Sequence, residues 1–210
     1  MDEFDNTLSD FRSYLVLERS LSPNTVEAYS RDYRALAEFL RNRGIGSPWE
    51  ADYDTLSAFL ACEVEGGLSK RSQARLVSSL KTLFRFLDSE GRLAGGNPCE
   101  RLDTPHIYPH LPDVLTVEEI ESMLASADQS GIGGRRDRTI LEVLYSCGLR
   151  VSELVNLRIS DLFIADGFVR VTGKGNKQRL IPLGSKAKDN LREWIEQGRP
   201  LTHPETDNVI

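Results

Sequence analysis

Arg150, Glu153 and Lys174 are the side chains of this 210-residue sequence whose type and setting best suit reactive chemistry. Arg150 follows Gly148, which is predicted to end a helix, and an arginine offers a rigid fork of N–H donors for a pair of phosphate oxygens. Glu153 stands three residues later, where it can orient Arg150. Lys174 lies between two glycines at a predicted hairpin tip, a setting that suits proton donation to a leaving oxygen. Taken singly, Arg150 also fits a surface ion pair and Lys174 a solvated turn.

A second group of residues lies on one face of the helix that is predicted to start after Ser69. Leucines at helical spacing form its core stripe, and basic and hydroxyl side chains recur on the opposite face. A basic, hydroxyl-rich helix face suits the major groove of duplex DNA, where arginine reaches phosphates or guanine edges. An ordinary solvated face is the alternative. The predicted DNA-contacting residues are Arg71, Arg75, Ser78, Thr82 and Arg85.

The charge distribution favours a polyanion partner, although the formal net charge is −6. Residues 1–65 hold 13 acidic and 6 basic side chains. Two later blocks, 66–87 and 167–188, hold five and six basic side chains and no acidic one. The local field decides where a phosphate backbone binds, so we expect Lys177 of the second block to contact DNA as well.

Several other classes are disfavoured. The sequence has no apolar run long enough to span a membrane, and its first ten residues are acidic and polar, unlike a signal peptide. Three separated cysteines and three histidines give no metal-ligand spacing, so we expect no metal and no other cofactor. A reduced, cytoplasmic setting is expected.

The elements that must position these residues fall into two domains. Three prolines, Pro105, Pro109 and Pro112, predict an extended linker over 104–113. Residues 1–103 are predicted to be all-α, with helices beginning after Ser22 and Ser69. Residues 114–210 are predicted to be α+β, so that the fold class is mainly α. The elements predicted there are a helix capped by Thr116, a loop over Gly131–Arg136, helices over Asp137–Cys147, Ser152–Leu157 and Ser185–Gln197, and short antiparallel strands over Leu162–Ile164, Phe168–Thr172 and Gln178–Pro182.

The motifs together resemble a known family. CGLRVSELVNLRISDL and VRVTGKGNKQRLIPLG look like the catalytic core of the tyrosine site-specific recombinases, the phage integrase family, and most closely the Xer type. LSPNTVEAYSRDYRALAEFL and LSKRSQARLVSSLKTLFRFL resemble the core-binding domain of the same family. The resemblance covers almost the whole chain.

The resemblance implies a SAM-like core-binding domain and part of a catalytic domain that clamp duplex DNA at a specific recombination site. Such enzymes cut one strand with a tyrosine, form a 3′-phosphotyrosyl bond and need no metal. Arg150 matches the first catalytic arginine, Glu153 the acidic residue that supports it, and Lys174 the hairpin lysine that acts as general acid. Family members act as tetramers on DNA, some with a paralogous recombinase. The expected roles include chromosome partition or DNA integration, at the nucleoid in the cytoplasm.

The sequence departs from the family pattern at its end. The family continues into a His-x-x-Arg-His-type motif, a later His or Trp, and the nucleophilic tyrosine, and none of the six tyrosines here matches that nucleophile. We therefore expect the 210-residue chain alone to bind DNA without cleaving it, because no covalent step is possible without a nucleophile. Two alternatives stay open: a naturally truncated, non-catalytic DNA-binding module, and a helical interaction protein without a DNA partner.

Overall fold

The computed structural model describes residues 2–106, 113–127, 130–173, 175, 177–201 and 209. The chain divides into two compact units, Met1–Leu111 and Pro112–Ile210. The division lies within the segment 104–113 that the prolines marked as a linker; of that segment, residues 107–112 lie outside the described residues.

The first unit is helical, and its helices begin where capping residues direct them. The hydroxyl of Ser22 accepts a hydrogen bond from the amide of Thr25 at 3.3 Å, and the hydroxyl of Ser69 accepts one from the amide of Ser72 at 3.2 Å. Both bonds satisfy amides that have no partner within the helix, and both confirm the predicted N-caps. The elements are α1 (Glu3–Ser13), a π-helical turn (Tyr14–Glu18), α2 (Pro23–Asn42), α3 (Tyr53–Glu65) and α4 (Lys70–Ser89).

The core of the first unit is built around α4. The predicted leucine stripe is almost completely buried, and it packs with aromatic side chains of α1, α2 and α3. Each fully buried leucine stabilises the fold by about 1.5–3 kcal/mol. The stripe comprises Leu76, Leu80, Leu83 and Leu87.

The second unit begins with the predicted capping box. The hydroxyl of Thr116 accepts from the amide of Glu119, and the Glu119 carboxylate accepts from the amide of Thr116. Gly148 ends the second helix of this unit with φ +57°, as predicted for a glycine after a helix. The helices are α5 (Val117–Ser126), α6 (Ile132–Cys147), α7 (Val151–Val155) and α8 (Ser185–Glu193).

The predicted loop over Gly131–Arg136 is wrong, because α6 already begins at Ile132. Gly133 and Gly134 lower helix propensity by about 1 kcal/mol each relative to alanine, which favoured a loop in the sequence. Tertiary contacts outweigh that cost: the guanidinium of Arg135 lies 4.0 Å from the Glu193 carboxylate, and the next turn packs against α8.

A small antiparallel sheet follows α7. The strands β1 (Leu162–Phe163), β2 (Phe168–Thr172) and β3 (Gln178–Pro182) are ordered β1-β2-β3, as the sequence predicts. Val169 pairs with Ile181, and Val171 pairs with Arg179. Residues directly opposite each other share one face of a sheet, so Arg179 lies on the face of the two buried valines.

After β3 the chain forms α8 and then a π-helical turn, Trp194–Gly198, where a single helix to Gln197 was predicted. The buried indole of Trp194 donates a hydrogen bond to the carbonyl of Val209 at 2.6 Å. None of the helices in the described residues is long and apolar enough to cross a membrane.

Candidate functional site

The first part of the candidate site is formed at the start of α7. Gly148 turns the chain at the end of α6, and Arg150 becomes the N-cap residue of α7 with Glu153 in its first turn. One Glu153 oxygen accepts the Arg150 amide hydrogen at 2.8 Å, and the other accepts a hydrogen from Nη1 of Arg150, also at 2.8 Å. The same carboxylate therefore caps the start of the helix, which the sequence did not predict, and contacts the guanidinium of Arg150, as expected for this pair.

Arg179 completes this group, and the sequence analysis did not single it out. From β3, its Nη1 and Nη2 donate to the two Glu153 oxygens at 2.8 and 2.9 Å, a bidentate ion pair. The signal that could have found it is the hairpin register, which places an arginine opposite the inward-facing Val171. The Arg179 side chain is 41% exposed, whereas the Glu153 carboxylate that it reaches is buried and needs a charged partner.

The electrostatics of this group leave one cation in excess. The hydrogen bonds from Arg179 and from the Arg150 backbone lower the pKa of Glu153 to about 2, and the same pairing raises the pKa of Arg179. Two guanidinium groups thus surround one carboxylate. The Glu153 side chain is 4% exposed, whereas that of Arg150 is 69% exposed. Since only one of the five N–H donors of Arg150 is hydrogen-bonded to Glu153, the group is suited to bind a phosphate.

The hairpin that carries Lys174 closes at its base through a hydrogen bond of 2.8 Å from the Gly173 amide to the Lys177 carbonyl. Lys174 itself lies outside the described residues, so its role stays a prediction. The side chain of Lys177 is exposed, as a DNA-contacting role requires.

The α4 face agrees with the prediction at three positions. Arg71, Ser78 and Arg85 are exposed. Arg75 differs: its guanidinium forms an ion pair with the buried carboxylate of Asp32 on α2, which the sequence analysis did not identify.

The prediction that Thr82 belongs to the exposed face is wrong. Thr82 is 9% exposed, and its hydroxyl donates to the Ser78 carbonyl at 2.8 Å. Positions three or four residues apart share a helix face, and the neighbours of Thr82 on that stripe, Ser79 and Phe86, are buried too. The exposed face of α4 is therefore narrower than the spacing of its basic and hydroxyl residues predicted, because it does not include Thr82.

Among the described residues, no cluster of three or more His, Cys, Asp or Glu side chains is placed to hold a metal ion.

Comparison with known families gives two matches. The sequence model of the phage integrase family matches residues 113–210, and that of the phage integrase N-terminal SAM-like domain matches residues 8–91. The two matches fall in different structural units.

Similar curated proteins include tyrosine recombinases named XerD and XerC. The tyrosine recombinase XerD of Listeria monocytogenes serotype 4b (strain F2365) is 37% identical over 206 residues, which cover 97% of this chain and 69% of that protein. XerD of Proteus mirabilis is 38% identical, covering 100% of this chain and 66% of that protein. XerC of Oceanobacillus iheyensis (strain DSM 14371 / CIP 107618 / JCM 11309 / KCTC 3954 / HTE831) is 37% identical, covering 95% and 65%. This chain thus spans about two thirds of the length of these relatives.

Solved structures share the fold. The XerH recombinase in its pre-cleavage complex with a difH substrate superposes with a TM-score of 0.73 at 22% identity, covering 100% of this chain and 74% of that one. A lambda integrase dimer bound to a COC′ core site gives 0.72 at 20% identity, covering 98% and 56%. From the matched families and the Xer relatives, the chain belongs to the phage integrase family of tyrosine recombinases and is of the Xer type.

Proposed function

We propose that this chain binds duplex DNA as part of a site-specific recombinase of the Xer type. The observation that carries the proposal is the Arg150–Glu153–Arg179 group, which holds an exposed guanidinium beside a buried, doubly paired carboxylate. An exposed arginine oriented in this way fits the oxygens of a phosphodiester. The exposed cations of α4, Arg71 and Arg85, supply a second DNA contact.

In the proposed reaction, a tyrosine hydroxyl gives up its proton to solvent and its oxygen attacks the scissile phosphorus. A 3′-phosphotyrosyl bond forms, and the bond to the 5′-oxygen breaks. Arg150 stabilises the negative charge that develops on the phosphate oxygens. Lys174 donates the proton that the leaving 5′-oxygen takes up. The attacking tyrosine is not assigned to any of the six tyrosines of this chain.

We also propose that the recombinase acts as a tetramer on paired sites, at the nucleoid in the cytoplasm. Support comes from the names of related structures, which include a lambda integrase tetramer bound to a Holliday junction. The relatives include both XerC and XerD proteins, which favours pairing with a paralogous recombinase.

Binding of a labelled DNA duplex to the chain, measured over a range of salt concentrations, tests the proposal. Arg71→Ala and Arg85→Ala are each expected to weaken binding and to reduce the slope of log affinity against log salt by about one, because each removes one phosphate contact. Arg192→Ala on α8 is the matched control; it removes the same charge from an exposed position on a helix of the other unit.

The outcomes separate the alternatives. No binding at low salt would contradict both DNA-binding proposals and leave a helical interaction protein. Binding that is unchanged in Arg71→Ala and Arg85→Ala, with normal folding, would show that α4 is not the contacting helix. If Arg192→Ala and the α4 variants lose the same amount of DNA affinity, the loss reflects only the change in net charge and not a contact made by α4.

A further inference from the structure

Arg179 is the residue of the phosphate-binding group for which the proposed reaction gives no role. It lies on β3, five positions after Lys174, and does not belong to the helix start that holds Arg150. We infer that Arg179 is a positioning residue: it neutralises and fixes Glu153, so that Arg150 remains available to a phosphate. That Arg150 binds a phosphate rests on the proposed function, whereas the control of Glu153 by Arg179 rests on the geometry of these side chains.

The geometry makes Glu153 a shared acceptor. Its two oxygens accept four hydrogen bonds of 2.8 to 2.9 Å, two from Arg179, one from the Arg150 amide and one from Arg150 Nη1. A carboxylate with four donors holds each of them in one orientation. The carboxylate is buried, so an unfilled acceptor position would be costly.

The charges explain why two arginines are needed. A single arginine beside Glu153 forms a neutral pair, and a neutral pair attracts a phosphate weakly. With Arg179 present, the three groups carry one net positive charge, and the exposed cation is Arg150. Removing Arg179 leaves Arg150 as the principal partner of the carboxylate, so part of its donor capacity turns away from the ligand.

Gly173 shows that the hairpin is shaped around this pair. A Cβ added at Gly173 would lie 3.1 Å from Nη1 of Arg179 and 3.2 Å from Oε1 of Glu153. Both distances are shorter than ordinary contacts of a methyl group, so a side chain there would require the two partners to shift by a few tenths of an ångström. The residue next to the predicted general acid is therefore one that leaves room for the ion pair.

The same pair connects two parts of the site. Arg179 belongs to the hairpin whose two strands flank Lys174 in sequence, and Glu153 belongs to the helix that begins at Arg150. One ion pair thus ties the hairpin to the arginine. A direct contact between Arg179 and DNA is the competing role; it predicts that Arg179 and Arg150 contribute independently.

The first experiment is NMR titration of the Glu153 carboxyl in the DNA-free chain, with ¹³C-labelled glutamate and Glu153→Gln for assignment. Arg179→Gln is expected to raise the proton affinity of Glu153 at least tenfold, and Arg179→Lys, which keeps the charge but loses the fork, is expected to give an intermediate value. An unchanged titration in a folded Arg179→Gln would overturn the inference. If Arg179→Gln fails to fold, the comparison of Arg179→Lys with the unmodified chain takes its place.

The second experiment is a double-mutant cycle on duplex DNA affinity. Arg150→Ala and Arg179→Gln are each expected to weaken binding about tenfold, and the double variant also about tenfold rather than a hundredfold, because Arg179 acts through Arg150. Additive losses would assign Arg179 a direct contact and overturn the positioning role.

The matched control is Arg170→Gln, which removes another arginine of the hairpin, one whose Nε donates to Asp161 at 2.8 Å. Its effect is expected to add to that of Arg150→Ala, since it does not touch Glu153. If the unmodified chain binds no DNA, the proposed function fails, while the titration still decides whether Arg179 controls Glu153.

Discussion

Arg75 on α4 forms an ion pair with Asp32 on α2, and Asp32 is 6% exposed whereas the Arg75 side chain is 37% exposed. The pair fastens the predicted DNA-contacting helix to its neighbour in the first unit. It also turns one arginine of the basic face toward an internal acid, so that Arg75 is held differently from Arg71 and Arg85.

The unequal burial of the pair predicts unequal costs. Arg75→Ala leaves a buried carboxylate without a partner and is expected to destabilise the first unit by about 2–3 kcal/mol. Asp32→Ala leaves an arginine that can reach water and is expected to cost about 1 kcal/mol less. Urea denaturation gives the free energy of unfolding of the first unit, with ¹⁹F NMR of fluorotryptophan as the probe. The two tryptophans of the sequence, Trp49 and Trp194, lie in different units, so each reports on one unit. Arg71→Ala, at an exposed position, is the control, and equal costs for the two partners would contradict the prediction.

Thr82 is expected to contribute to stability and not to DNA binding. Thr82→Ala removes a buried hydroxyl bonded to the Ser78 carbonyl together with a buried methyl group, and it is expected to lower the free energy of unfolding by about 1–2 kcal/mol. DNA affinity, measured where the variant is fully folded, is expected to stay within about twofold. A loss of DNA affinity as large as that of Arg85→Ala would contradict this prediction and indicate that Thr82 contacts DNA.

Glu153 is expected to make the second unit sensitive to acid. Its pKa is lowered from 4.5 to about 2 by the hydrogen bonds from Arg179 and Arg150. A lowered pKa in the folded state stabilises the protein fully above the unfolded value, and the stabilisation is lost as pH falls from about 4.5 towards 2. Denaturation of the unmodified chain between about pH 6 and pH 3 is therefore expected to show a steeper loss than that of Glu153→Gln.

Glu118→Gln is the control for this measurement, because it removes an exposed carboxylate of the same unit. It is expected to keep the pH dependence of the unmodified chain. Parallel curves for Glu153→Gln and the unmodified chain would show that the Arg179 pair does not hold the carboxylate in its charged form.

Arg150 and Lys174 are expected to differ in how cleavage can be restored. In a cleavage-competent recombinase that carries these 210 residues, Arg150→Ala is expected to abolish strand cleavage, since the charge that stabilises the transition state is lost. Lys174→Ala is expected to slow cleavage about 100-fold or more, and a 5′-bridging phosphorothiolate, whose sulfur leaves without protonation, is expected to restore much of the rate. Cleavage of that substrate by Arg150→Ala is expected to stay lost. No rescue of Lys174→Ala would remove the general-acid role.

The local signals in the sequence were sufficient for most of the elements. Ser22, Ser69 and Thr116 start helices, Gly148 ends one, and the alternation on both sides of the Gly173–Lys177 turn produces a hairpin with the predicted strands. Caps, turns and periodicity act over a few residues, so the sequence shows them directly. The start of α6 was not predicted because two adjacent glycines favour a loop locally. The contacts between α6 and α8, which stabilise the helix there, form only in the folded chain.

The sequence by itself determined that Arg150 stands three residues before Glu153 and that basic side chains recur on one face of α4, the residues predicted to contact a phosphate. Only the tertiary structure decided which acidic partners Arg75 and Arg179 take. Asp32 lies 43 positions before Arg75 and Glu153 lies 26 before Arg179, and both pairs join elements that become neighbours only after folding. The energy of an ion pair depends on the distance between its charges in space, and spacing along the chain does not fix that distance for residues on different elements. The fold therefore separates the arginines into those that hold the structure and those, such as Arg150, that it leaves for a ligand.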